Sequence, residues 1–234
     1  HFARYVPLVV ARAREVVLNV PPMMVRVLEG LGAQVVSDHL DADGFDIEAS
    51  LMSQPMIFGT TQDTCPPPAR LTIDPVDLQR WQERLGHRDV LKVGICHHGG
   101  SRPHDPQAHA TDLRRSIPWG VFKPITDVEG VMSVVLQQES TEFIDFADTA
   151  ACILCCDLVV TVDTAVAHLA ASLGKETLML SRYDSCWRWG ATGTTTPWYP
   201  SMRIFRQAAH NTWPLVVKEV AAELAARVQR RAAA

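Results

Sequence analysis

The chain has 234 residues, 47% of them hydrophobic and 21% charged, which is material for one large or two small cores. A formal net charge of -4 without any basic stripe excludes a general nucleic-acid binder, which must neutralise a phosphate backbone. No apolar tract is long enough to span a bilayer, and six cysteines with no secretory signal before them point to a reducing, cytoplasmic setting.

Residues 2–13 (FARYVPLVVARA) predict a helix, 15–20 (EVVLNV) a short buried strand, and Pro21 with Pro22 opens a helix that Gly32 ends. Residues 33–36 and 45–52 read as two further strands. Short β-branched runs alternating with helical segments predict a mostly parallel α/β sheet. The proline cluster at 65–70 and the helix at 75–85, stopped by Gly86, read as the connection between two lobes.

The second half opens with a strand at 90–96 and a glycine-rich loop, HHGGSRP, at 97–103. A helix follows Trp119, then a strand at 131–137 and a helix at 146–154. A strand at 157–162 leads into a helix at 165–173 that Gly174 stops, and the next strand is 176–181. The last predicted helix is amphipathic and covers 213–225. The basic run RVQRR at 227–231 reads as its solvated end, where cations suit the dipole.

Cys152 and Cys155 form a CxxC in an apolar run, but no second pair follows at metal spacing, so they read as small core residues. His97, His98, His104 and His109 lack an accompanying carboxylate cluster, and no metal is expected there.

The stretch VVTVDTAVAHLAASLG at 159–174 carries the chemistry. Its strand is continuously apolar, as a parallel strand covered on both faces must be. Asp163 and Thr164 form the turn, with Thr164 placed as the N-cap of the helix. The small residues Thr164, Ala165 and Ala167 leave backbone N–H groups and the positive end of the helix dipole open to a phosphate. His168 lies four residues beyond Thr164 on the same helical face, positioned to donate to a phosphate oxygen or stabilise a departing diphosphate. Asp163 is placed to accept from a sugar or ribose hydroxyl. Taken singly, Thr164 reads more readily as a simple cap and His168 as a core histidine.

The pattern DTxxxHLAA at a strand-to-helix turn resembles the donor-binding signature of the heptosyltransferase-like glycosyltransferases of family 9. It is most similar to the domains of that type that follow tetratricopeptide repeats in bacterial proteins. The likeness extends to FARYVP at 2–7, MSQPMIFGTT at 52–61, VGIC at 93–96, RRSIP at 114–118, FADTAA at 146–151, WRWG at 187–190 and WYPSMRIFRQ at 198–207. It implies a GT-B-like fold, two Rossmann-like lobes with mostly parallel sheets facing a cleft. Residues 1–86 would form the acceptor-side lobe without its first strand, 87–212 the nucleotide-sugar lobe, and 213–234 a terminal helix.

By the same resemblance Asp163, Thr164, Ala165 and His168 form the phosphate-binding turn, and Ala165 stands where heptosyltransferases proper carry glycine. Arg115 falls at the position of a basic residue on the donor phosphates, and Gly99, Gly100 and Ser101 in the phosphate-facing loop. His97 and His98 depart from the Trp-Ala or Trp-Ser usual in that branch. Glu139 is aligned with a donor sugar or ribose contact. The family's acceptor-activating base belongs to a Gly-Asp pair just before a FARYVP-like helix, so it is expected upstream of His1 and no catalytic base is assigned.

The leading reading is a glycosyltransferase that takes a nucleotide-sugar as substrate, uses no further cofactor, and acts on a glycan or protein acceptor. A non-catalytic sugar-nucleotide-binding or scaffold domain and a sugar-nucleotide epimerase are the alternatives, since one fold hosts several chemistries. Trp187, Arg188 and Trp189 read either as cleft residues stacking on a sugar or base, or as a packed structural loop.

Overall fold

A computed structural model describes residues 1–38, 44–87, 89–137 and 143–233. The first half holds two short parallel strands, β1 (Val17–Asn19) and β2 (Gln34–Val36), paired through Leu18 and Val35. Around them lie the helical turns α1 (Val6–Val10), α2 (Val25–Leu28) and α3 (Gln54–Ile57), and the longer α4 (Pro75–Leu85). Asp74 caps α4 by accepting from the Val76 amide, and Gly86 ends it at a φ of 59°. The strand expected at 45–52 does not form; residues 45–50 run as irregular chain, and Leu51–Ser53 is a single 3-10 turn. That stretch exposes Phe45, Ile47 and Met52, so it has no buried face on which a strand could pair.

The second half is a five-stranded, all-parallel sheet in the order β4-β3-β5-β6-β7. Its strands are β3 (Leu91–Cys96), β4 (Val131–Val135), β5 (Leu158–Val162), β6 (Thr177–Ser181) and β7 (Met202–Arg206). The connecting helices are α5 (Pro106–Arg115), α6 (Trp119–Thr126), α7 (Phe146–Leu154) and α8 (Ala165–Ser172), and α9 (Trp213–Ala232) ends the chain. All five residues of β5 are buried, as its apolar run requires. Alternate residues serve opposite faces. Leu158, Val160 and Val162 pack with α6 and α9, whereas Val159 packs with α7 and with the first half through Leu18, Val27 and Trp81.

The α/β class and the parallel pairing agree with the sequence reading. Helix α9 continues through the basic run, with Leu224 buried in the core and Val228 packed against it. The basic run at its end is paired rather than merely solvated: Arg227 binds Glu176 and Glu223, and Arg231 binds Asp157. Among the described residues no helix is long and apolar enough to cross a membrane.

Candidate donor-binding site

Counted within the second half, the strand order is 2-1-3-4-5, a doubly wound sheet whose direction of winding reverses between β3 and β5. Beyond the carboxyl ends of those strands the chain leaves toward opposite faces, which is where a doubly wound sheet forms its ligand crevice. The loop after Cys96 and the turn Asp163–Thr164 line it.

Thr164 occupies the N-cap position of α8 with extended backbone (φ -137°, ψ 177°), but its side chain does not cap the helix. Its hydroxyl instead lies 3.3 Å from Thr161 Oγ1 and 3.6 Å from Cys96 Sγ. Cys96 also donates to the His98 carbonyl at 3.3 Å, and burial pushes its thiol up, so it stays protonated. The expected capping hydroxyl is thus drawn into contact with the neighbouring strand ends. No side chain caps the first turn of α8; the Ala167 amide, expected to be free, donates to the Thr164 carbonyl at 3.1 Å, so the amides of Ala165 and Val166 are the ones left for an anion.

Arg115, the last residue of α5, reaches across the crevice. Its Nη1 donates to the Asp163 carbonyl at 2.7 Å, and its Nη2 pairs with Asp112 at 2.6 Å. Asp112 is buried and also accepts from Arg102 Nε at 3.0 Å and Nη2 at 2.8 Å; those bonds hold its carboxyl below the usual range. Arg115 Nε is buried with no partner. The guanidinium lies against Gly99, where an added Cβ would sit 2.4 Å from Nη2. Glycine is therefore required at 99 for close approach, whereas a Cβ at Gly100 would meet nothing within 4 Å. Ser101 is exposed on the same loop. His97 turns inward: its Nδ1 lies 2.7 Å from the Ile117 carbonyl, and its ring packs on Trp119 and Phe122.

His168 sits one turn into α8, on its other flank. Its Nδ1 is 3.1 Å from the Tyr199 hydroxyl, and its ring lies 5.1 Å from that of Trp189 at an interplanar angle of 22°. Burial, reinforced by nearby positive charge that includes Arg188 and Arg4, pushes the imidazole well below its ordinary 6.5. It is a neutral ring at physiological pH. Trp189 is buried beneath α8, whereas Trp187 is 63% exposed, so the two tryptophans of WRWG have different roles.

The structure thus joins Gly99, Arg115, Asp163 and Thr164 at one sheet edge, with Ala165 exposed at the start of α8. Glu139 lies outside the described residues. Among the described residues no group of three or more His, Cys, Asp or Glu side chains is arranged to hold a metal. Cys152 is buried and its thiol is pushed up by its hydrogen bond with Cys156 and by desolvation, as suits a core residue.

Residues 143–225, over α7, β5, α8, β6, β7 and the start of α9, fit the model of glycosyltransferase family 9 (heptosyltransferase). Over that segment the chain is similar to glycosyltransferase family 9. It is also similar to Protein FlbA of Caulobacter vibrioides (strain ATCC 19089 / CIP 103742 / CB 15), at 27% identity over 67% of this chain and 29% of that protein. A crystal structure of the glycosyl transferase family 9 from Veillonella parvula DSM 2008 superposes with a TM-score of 0.43 and 14% identity, covering 78% of this chain and 57% of that one. The chain therefore spans less than a third of the curated relative it matches.

Sequence reasoning did not identify α5, Asp112 or Tyr199 as neighbours of the candidate site residues. A signal for α5 was present in Asp105–Pro106, an N-cap followed by proline at the first helical position, and Asp105 accepts from the Gln107 and Ala108 amides. Its few apolar residues concealed it. Once α5 is a helix, Asp112 and Arg115 are an i,i+3 pair.

Proposed function

We propose that the protein transfers a sugar from a nucleotide-sugar to a glycan or protein acceptor, seating the donor diphosphate between Arg115 and the first turn of α8. The carrying observation is the Arg115 guanidinium, fixed to the Asp163 carbonyl at 2.7 Å beside a helix start that no side chain caps. Cleavage of a nucleotide-sugar leaves negative charge on the departing diphosphate. A fixed cation and oriented N–H groups stabilise that charge without reorganising during reaction. The family 9 match over α8 supports this reading.

His168 contributes a neutral hydrogen-bond donor to the same oxygens. Asp163 orients Arg115 through its main chain, leaving its carboxylate for a sugar or ribose hydroxyl.

A thermal-shift panel of UDP-, GDP-, ADP- and CMP-sugars tests the proposal. A ligand at 100 times its Kd stabilises the folded state by about 2.7 kcal/mol. At least one donor should raise the melting temperature, and Arg115→Ala should abolish the rise. No shift from any donor would overturn the reading.

A further inference from the structure

We infer that Tyr199 is a positioning residue for His168: its buried hydroxyl donates to Nδ1 and fixes the tautomer that carries the proton on Nε2. The inference rests on the proposed donor site, because it assigns the atom His168 presents there.

The geometry defines a chain of three groups. Tyr199 Oη lies 3.1 Å from His168 Nδ1 and 3.2 Å from His1 Nδ1. Tyr199 is completely buried, so its hydroxyl proton must find an acceptor within the protein. The described hydrogen bonds of the phenol oxygen run to these two imidazole nitrogens, while the Arg4 guanidinium lies over the phenol ring, 4.9 Å from its centroid. Arg4 itself donates to the carbonyls of His1, Pro66 and Trp198, so it cannot receive the proton. Only the two imidazole nitrogens remain within the described contacts.

His1 and His168 cannot both accept a single proton. His1 Nε2 is buried with no partner. An unpaired acceptor nitrogen is tolerated better than an unpaired N–H, which places the His1 proton on Nδ1. The order is then His1 Nδ1–H to Tyr199 Oη, and Tyr199 Oη–H to His168 Nδ1.

Histidine in its neutral form has one N–H, so His168 carries it on Nε2, the nitrogen with no hydrogen bond among the described residues. The groups that face the ring are His1, Tyr199, Trp189 and the cations Arg4 and Arg188; no carboxylate is among the causes that set its titration. Positive surroundings keep the ring neutral, and Tyr199 selects which nitrogen donates. With the opposite tautomer, Nε2 would offer a lone pair to a phosphate oxygen and repel it.

Long-range proton–nitrogen NMR of the 15N-histidine-labelled protein at neutral pH tests this, with His168 assigned by loss of its signals in His168→Gln. The expected spectrum has a protonated Nε2 and a bare Nδ1. In Tyr199→Phe the ring should lose this tautomer preference and titrate at higher pH, since a bond to its neutral form is gone. Affinity for the tightest of UDP, GDP, ADP and CDP should fall about tenfold in that variant, equivalent to one hydrogen bond. A wild-type spectrum with the proton on Nδ1 overturns the inference without any variant having to fold. An unchanged tautomer in folded Tyr199→Phe overturns it as well. The correct tautomer with no nucleotide binding would leave the positioning intact and sink the donor site instead.

Discussion

Replacing Gly99 by alanine isolates the contribution of Arg115 without touching its charge. The new Cβ would lie 2.4 Å from Nη2, 2.6 Å from Cζ and 2.8 Å from Nε of Arg115. Ordinary contact begins at 3.4 Å, so the guanidinium must withdraw by about 1 Å. Such a shift stretches the 2.7 Å bond to the Asp163 carbonyl and the 2.6 Å pair with Asp112 beyond hydrogen-bond range. A hydrogen bond to a charged group is worth about 1.5–3 kcal/mol, so affinity for a nucleoside diphosphate should fall roughly 10- to 100-fold. Gly100→Ala is the internal control: its Cβ meets nothing within 4 Å, and affinity should hold within about twofold. Calorimetric titration of the tightest-binding nucleoside diphosphate into wild type, both alanine variants, Arg115→Ala and the Gly99→Ala/Arg115→Ala double variant measures all of this. The double variant should bind no worse than Arg115→Ala alone. Wild-type affinity in folded Gly99→Ala, or equal losses in the two glycine variants, would refute the reasoning.

Three further outcomes concern stability. Asp148 is completely buried and accepts from Trp81 Nε1 at 2.6 Å, from the Ile144 amide at 3.1 Å and from Arg80. Asp148→Ala leaves the two N–H groups unpaired at about 1–3 kcal/mol each, whereas Asp148→Asn retains an acceptor and should cost less; urea midpoints at unchanged slope read the difference. Gly94→Ala in β3 places a methyl 2.6 Å from Leu136 Cδ1 and 3.2 Å from Val159 Cγ2, and should destabilise by about 1–3 kcal/mol in the same assay. Unfolded His168 takes up a proton near 6.5, while the folded ring resists until well below that value. The unfolded state therefore binds more protons in that window, and stability should decline as pH falls below 6.5. His168→Gln should flatten that limb of the pH profile, and an unchanged slope would show that the folded ring titrates normally.

The second half of the fold was readable from sequence because each of its strands except β7 is a short apolar run next to a helix with clear stops. Phe146–Leu154 matches the expected helix at both ends, with Asp145 capping it through the Asp148 amide. Residues 45–52 misled because β-prone side chains fit a strand only when a buried partner face exists, and here they are exposed. In the site, the turn at 163–165 was legible because strand, small residues and helix agree locally. Two features were not, because each depends on contacts distant in sequence. Thr164 holds the N-cap position, yet its hydroxyl is recruited by Thr161 and by Cys96, 68 residues away. The Tyr199 contact to His168 spans 31 residues and follows from burial of the WYP segment under α8.

The most direct test of the account is the position of the phosphates themselves. A crystal structure with the tightest-binding nucleoside diphosphate should place them at the carboxyl edge of β3 and β5, within hydrogen-bond distance of Arg115 and the first N–H groups of α8. At the opposite edge of the sheet, Lys92 and Arg231 line a depression of about 380 Å³ with Asp89 and Asp157. Phosphates bound there, with the Arg115 crevice empty, would contradict the account.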